Sequence, residues 1–330
     1  MSMSSTGIVL YHGIESGAEL KEYGHIAEVN GFDSLWVTER YFHEETFALL
    51  GFLAAATQQL KLGVGVVNPY TRHPALLAMA SATLDRISGG RFLLGLGRSE
   101  PDVIQDKMGI PYGNSRTALV ETVTLLRKLF AGDRVSTSEK RYNLNAVRLA
   151  TTPVQPSLPI YLSGIGPKGL RLVGEIADGV ILNAYVPPAY VRYAVDEIRD
   201  AAKAVGRDPQ AIAIICMLVV RLTEDPASMR STLKQRIARL LDEPHVGEIL
   251  LDKGGFDVDL LTPLRAAVKA EGEQAATRFI TDDMVDAFYL VGPIDYCKTR
   301  IEEYRQAGVQ APLLLPRLED YRRVAEALGH

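Results

Sequence analysis

Chemistry-bearing side chains recur in one kind of place along this 330-residue chain, directly after a short apolar run. His12 follows Ile8-Val9-Leu10, Glu39 and Arg40 follow Leu35-Trp36-Val37-Thr38, and Arg98 follows Leu93-Leu94-Gly95-Leu96-Gly97. A carboxylate such as Glu39, set beside an apolar ring, has its pKa raised and can exchange a proton near neutrality. The plainer alternative is a salt bridge to Arg40 or to another rim arginine. His12 and Arg40 could orient a substrate, and the guanidinium of Arg98 could clamp one edge of a phosphate.

Two glycine-bearing stretches suggest what these residues surround. Ser163-Gly164-Ile165-Gly166-Pro167-Lys168-Gly169 leads from an apolar run into a helical pattern, so its backbone N–H groups and the positive helix end suit a phosphate. It matches GxGxxG literally, but midway along the chain, and no Asp or Glu follows at about 20 residues to hold a ribose. On these residues alone a turn without ligand is an equal alternative; Arg98 favours a phosphorylated cofactor. Gly63, Gly65 and Asn68 punctuate the run at 62–68, and glycine in a buried strand marks a bulge or a close approach, against which a flat ring could lie. Asn183 ends a further run. His43 is a second rim histidine, whereas His73, followed by Pro74, is placed to order a helix start. No HExxH or GxSxG occurs and Cys216 lies inside an apolar run, so no metal site is expected and a nucleophilic or metal-dependent hydrolase is poorly supported.

The elements that must position these residues alternate. Strand-like runs at 7–11, 34–38, 62–67, 92–96, 159–162, 179–182, 213–220 and 311–315 are interleaved with helical patterns at 20–30, 46–58, 74–87, 115–130, 167–177, 188–205, 226–241 and 293–307. Several of the helical patterns open on proline. This predicts an α/β protein, a (β/α)8 TIM barrel whose reactive groups belong at the C-terminal strand ends, where the residues above fall. The competing open doubly wound sheet lacks a GxGxxG at its first helix. The chain reads as one barrel domain over 1–330, with insertions at 131–158 and 242–283 that could cover the mouth. The second is rich in Glu, Lys, Ala and Leu around Gly254-Gly255 and reads as extra helices, a lid or else a small subunit interface.

Composition narrows the partners. A net charge of −4 with no basic run argues against nucleic acid and leaves a small-molecule substrate. No apolar stretch reaches the roughly 18 residues that a membrane span requires, and the short polar start is no secretory leader. Two cysteines without CxxC spacing fit a reducing, cytoplasmic setting.

Four segments carry a resemblance: Gly31-Phe32-Asp33-Ser34-Leu35-Trp36-Val37-Thr38-Glu39, Asn68-Pro69-Tyr70-Thr71-Arg72-His73-Pro74, Ser88-Gly89-Gly90-Arg91-Phe92 through Gly97-Arg98, and Ile160 through Asp178-Gly179-Val180. In order and spacing they are similar to the luciferase-like monooxygenase superfamily, and within it to the branch dependent on the deazaflavin coenzyme F420. The resemblance implies a (β/α)8 barrel, commonly a homodimer, with the cofactor across the C-terminal strand ends. It further implies a non-proline cis peptide near Gly65-Val66 behind the ring, and a phosphate between Arg98 and the turn of Ser163, Gly164, Ile165 and Gly166. Asn68 and Asn183 complete the expected cofactor contacts. Many deazaflavin members carry Asp-His where this chain has Glu39-Arg40, so substrate identity does not carry over. The implied activity is hydride transfer between F420 and a small organic substrate, with Glu39 managing the proton. An FMN-dependent monooxygenase using reduced flavin and oxygen, or a non-catalytic flavin-binding protein, are the alternatives.

Overall fold

Continuous apolar runs bury both faces of a strand, the pattern of a parallel sheet wrapped by helices. The structure, a computed structural model, describes residues 5–330; the polar start at 1–4 lies outside them. The strands are β1 (Gly7–Leu10), β2 (Ser34–Val37), β3 (Lys61–Val67), β4 (Phe92–Leu96), β5 (Val135–Ser138), β6 (Asn143–Val147), β7 (Ile160–Ser163), β8 (Gly179–Leu182), β9 (Ala213–Leu222), β10 (Leu290–Gly292) and β11 (Ala311–Leu315). Parallel pairing runs β1-β2-β3-β4-β7-β8-β9-β11 and returns from β11 to β1, so eight strands close into the (β/α)8 barrel that the alternation predicts.

Around it stand α1 (Gly17–Val29), α2 (Thr46–Ala56), α3 (Pro74–Ile87), α4 (Ser115–Phe130), α5 (Pro167–Ile176), α6 (Pro188–Ala204), α7 (Ala227–Asp242), α8 (Val246–Gly254), α9 (Leu261–Glu271), α10 (Glu273–Ala276), α11 (Asp282–Phe288), α12 (Ile294–Gln306) and α13 (Tyr321–Leu328). Their starts are chemically marked. Ser16 and Asn114 accept from Glu19 N and Thr117 N to cap α1 and α4, and Pro opens α3, α5 and α6.

Several elements depart from the sequence reading, among them α13 at Tyr321–Leu328, which it did not include. The 131–158 insertion holds β5 and β6 as an antiparallel hairpin, hidden in sequence because Val135-Ser136-Thr137-Ser138 is largely polar. β9 runs two residues past 220, and β10 pairs beside that overhang at Val220 to Leu222. Residues Asp102–Lys107 form a π-helical turn after β4.

The barrel interior is filled at its base by Trp36, 1% exposed, which meets Tyr161 edge-on at 5.6 Å. A Cβ on Gly63 would stand 2.3 Å from the indole, so the ring lying on this part of β3 is the protein's own. Arg91, from the family-like motif, binds the carbonyls of Ala54 (2.9 Å) and Leu60 (2.7 Å) below the barrel. Asp178 likewise accepts from Ile160 N at 2.7 Å and pairs with Arg127. Such N-terminal-face contacts serve stability rather than chemistry.

Candidate active site at the barrel mouth

The centre of the mouth is built by β3. Its register against β4 shifts between Val64 and Val67, a bulge, and the Gly65-Val66 peptide is cis, as the resemblance implies. Gly97, just past β4, faces this bulge closely: a Cβ there would lie 2.5 Å from Val66 Cγ2 and 2.7 Å from Ser163 Oγ. Val66, Gly97 and Ser163 therefore meet at one point, with Arg98 next in the chain and exposed.

From Ser163 the chain enters α5 through Gly164, Ile165 and Gly166. Gly166 is the N-cap residue and supplies no side-chain cap, so the first turn keeps backbone donors for an anion. Nothing stands within 4 Å of where a Gly166 Cβ would be, so the approach is open. Tyr190 of α6 fixes this turn by donating to the Ile165 carbonyl.

Asn68 has its side chain turned inward. Its Oδ1 accepts from Tyr70 N (2.8 Å) and Thr71 N (2.9 Å), and its Nδ2 donates to Tyr41 Oη (3.0 Å). Tyr41 in turn bonds Ser99, and burial raises the pKa of its phenol, so the hydroxyl stays protonated. The chain Asn68–Tyr41–Ser99 thus links the ends of β3, β2 and β4, a connection that no spacing in the sequence reveals. Asn183, exposed, accepts from Ala184 N at 3.1 Å. Ser99, Phe42 and Tyr185, all at this end, adopt φ of 58°, 65° and 67°, conformations that non-glycine residues hold where the surroundings impose them.

Glu39 is engaged on both oxygens. Arg72 forks onto it, and Thr46 Oγ1 donates to Oε2 at 2.9 Å. The rim arginine foreseen as the plainer partner is thus Arg72, while Arg40 donates to the Tyr11 hydroxyl instead. His73 caps α3 by accepting from Ala75 N at 3.2 Å, as its position before Pro74 suggests. His12 stacks near His43 with ring centres 4.4 Å apart. Burial, Arg40 and His43 lower the pKa of His12 against the pull of Glu44, so its ring is neutral at neutral pH.

The insertions reach this mouth. From the hairpin side, Tyr142 donates to the Pro69 carbonyl at the end of β3. α7 starts beside Arg221, near the end of β9, and Arg317, just past β11, and Glu243 follows its last residue. Burial, with Glu100 and Asp102 nearby, raises the pKa of the Glu243 carboxyl. A helix of this length spans about 24 Å, so α7 bridges from the β9–β11 sector to the residues after β4. Among the described residues no cluster of His, Cys, Asp and Glu could hold a metal ion.

Residues 2–311 match the family described as luciferase-like monooxygenase. The chain is 33% identical over 293 residues, 88% of each sequence, to a 5,10-methylenetetrahydromethanopterin reductase of Methanolobus tindarius. It is 30% identical over 283 residues, 82% of this chain and 80% of the other, to an F420-dependent glucose-6-phosphate dehydrogenase of Nakamurella multipartita. Among solved structures, the coenzyme F420-dependent tetrahydromethanopterin reductase of Methanopyrus kandleri superposes with a TM-score of 0.84 at 28% identity, over 99% of this chain and 97% of that one. With the bulged third strand and the family match over nearly the whole chain, this protein belongs to the luciferase-like monooxygenase family.

Proposed function

We propose that the chain is an F420-dependent oxidoreductase that moves a hydride between the deazaflavin and a small organic substrate at the barrel mouth. The observation that carries this reading is the meeting of the β3 bulge at Val66 with Gly97 and Ser163 beside the uncapped start of α5. A flat ring fits the bulge, and a phosphate fits Arg98 with the backbone of Gly164, Ile165 and Gly166. When bound, the deazaflavin supplies the hydride-transferring carbon.

The chain's own residues do the rest. Val66 and the β3 bulge back the ring, while Asn68 holds the bulge end through Tyr70, Thr71 and Tyr41. Asn183 stands at the rim beyond β8 as a further cofactor contact. His12, neutral at neutral pH, takes the proton released when a substrate hydroxyl is oxidised and returns it in the reverse direction. Glu39, whose oxygens are committed to Arg72 and Thr46, holds the β2 end in place, so the proton role the sequence suggested for it passes to His12. Arg40 orients the substrate beside His12, and α7 to α9 exclude water.

The free, buried Cys216 and Cys297 support a reducing, cytoplasmic setting. An apolar stripe on α3 supports a homodimer. The test of the cofactor is a titration of purified protein with F420 and with FMN. Tight F420 binding without FMN binding is expected; FMN binding alone would replace this reading with the monooxygenase.

A further inference from the structure

A cleft lies away from Arg98 and the α5 turn, at the ends of β9 and β11. It encloses about 190 Å³ and is lined by Arg221, Arg236, Arg317, Ser228 and Thr232 with apolar neighbours, and no carboxylate lines it. Side-chain alternation fixes where Arg221 points. Met217 reaches across the barrel, its Cε 2.9 Å from where a Gly65 Cβ would be, and Arg221, four residues on, shares its face. Arg221 thus projects from the inner wall at the open end, on the side facing the β3 bulge.

Its charge is left uncompensated. The guanidinium donates to the carbonyls of Val220 (2.6 Å) and Leu315 (3.4 Å), and the ionised groups that act on it most are the like charges of Arg317 and Arg236. Arg236 joins none of the ion pairs of the described residues, and Arg317 has only the solvent-exposed Glu319 at 3.2 Å. Ser228, Thr232 and Arg236 recur every four residues, one stripe of α7 turned to the cleft. Tyr289, a buried phenol whose ring meets that of Tyr185 edge-on at 5.2 Å, stands within charge range of Arg221 and Arg236. Gathering three guanidinium groups around one cleft without a carboxylate is unfavourable, and an oxyanion would turn that repulsion into charge-assisted hydrogen bonds.

We propose that the cleft of Arg221, Arg236 and Arg317 seats an anionic group of the substrate, so that the substrate is a small organic phosphate or polycarboxylate. This rests on the oxidoreductase reading only in calling the ligand a substrate; the anion site stands on its own geometry. Held there, the anion would anchor the molecule at the β9–β11 rim with its reacting carbon toward the β3 bulge, under the α7 stripe that carries Arg236.

Calorimetric titration of the full chain with inorganic phosphate and with malonate, before and after saturation with F420, tests it. At least one of the two anions is expected to bind, and to bind still when F420 is present; which one binds separates a phosphate from a carboxylate ligand. Arg221→Met should weaken that anion about tenfold, with F420 affinity unchanged, and Arg98→Met should do the reverse. Arg236→Ala and Arg317→Ala, both at exposed positions, should each weaken the anion and serve if Arg221→Met fails to fold. Absence of binding by either anion, or binding that F420 displaces and that ignores the Arg221, Arg236 and Arg317 variants, would overturn the proposal. Failure of F420 itself to bind would instead sink the cofactor reading and leave the anion titration to judge the cleft.

Discussion

At Gly97 one methyl group separates a working mouth from a blocked one. Its Cβ position lies 2.5 Å from Val66 and 2.7 Å from Ser163, so Gly97→Ala must displace a residue of the ring bed or of the phosphate turn. Overpacking of this kind costs about 1–3 kcal/mol. Urea denaturation should show that loss, and F420 affinity should fall with it; unchanged affinity would mean that the ring does not lie on this bed. Glu39 is the second test at this scale. Its carboxylate is 12% exposed and pairs with an Arg72 that is 19% exposed, so Glu39→Gln removes a shielded partner at a cost of about 1–3 kcal/mol. A cycle with Arg72→Met should return a coupling energy, whereas His12→Gln should lower kcat with little change in stability. The sequence showed that a rim arginine could claim Glu39, but not which one. Arg72 lies 33 residues away and comes alongside only because β2 and β3 pair in register.

The elements above the barrel are held by different forces from those within it. α7 is tied down at its C-terminal end by Arg265 of α9, which donates to the carbonyls of Asp242 (3.3 Å) and Glu243 (3.2 Å) and pairs with Glu248 of α8 at 2.6 Å. That pair pulls the Glu248 carboxyl down to about 2. A carboxylate with a depressed folded pKa contributes stability above its ordinary value of 4.5, lost as pH falls from there toward about 2. Glu248 is 43% exposed, so solvent screening limits the contribution to about 1 kcal/mol or less. Hydrogen exchange across α7 to α9 should therefore quicken as pH drops below 4.5, relative to the barrel strands. Arg265→Met should show that faster exchange already at neutral pH; equal protection in both proteins would mean that this arginine does not fasten α7. These helices were legible from the Glu, Lys, Ala and Leu content of 242–283, but their fastening was not. The arginine and the carbonyls it binds belong to segments joined only by the folded chain.

At the scale of the whole molecule the barrel was the most legible feature, because eight apolar runs separated by helices have few ways to bury both faces of every strand. The hairpin β5–β6 and the overhang of β9 were lost for the opposite reason: their residues are polar or lie past the apolar run, and pairing alone makes them strands. The barrel also leaves one apolar surface uncovered. On α3, Leu76, Met79 and Ile87 are 59%, 54% and 57% exposed, and Phe52 on the adjoining α2 is 42% exposed. Leu76, Met79, Thr83 and Ile87 recur at helical spacing along one face, and Thr83 turns its hydroxyl back to the Met79 carbonyl, which leaves that face poorer still in free polar groups. The opposite face of α3, with Leu77, Ala78 and Leu84, is already buried on the barrel, so only another molecule can cover the stripe. A second copy placing the same face there would form a two-fold interface of the commonest kind. Sedimentation should show a dimer for the native chain and a monomer for Leu76→Glu combined with Met79→Glu. Because neither side chain packs on the barrel, circular dichroism should remain native in the variant. A native chain that sediments as a monomer at every concentration would end the homodimer reading, and a variant that stays dimeric would move the interface to another face.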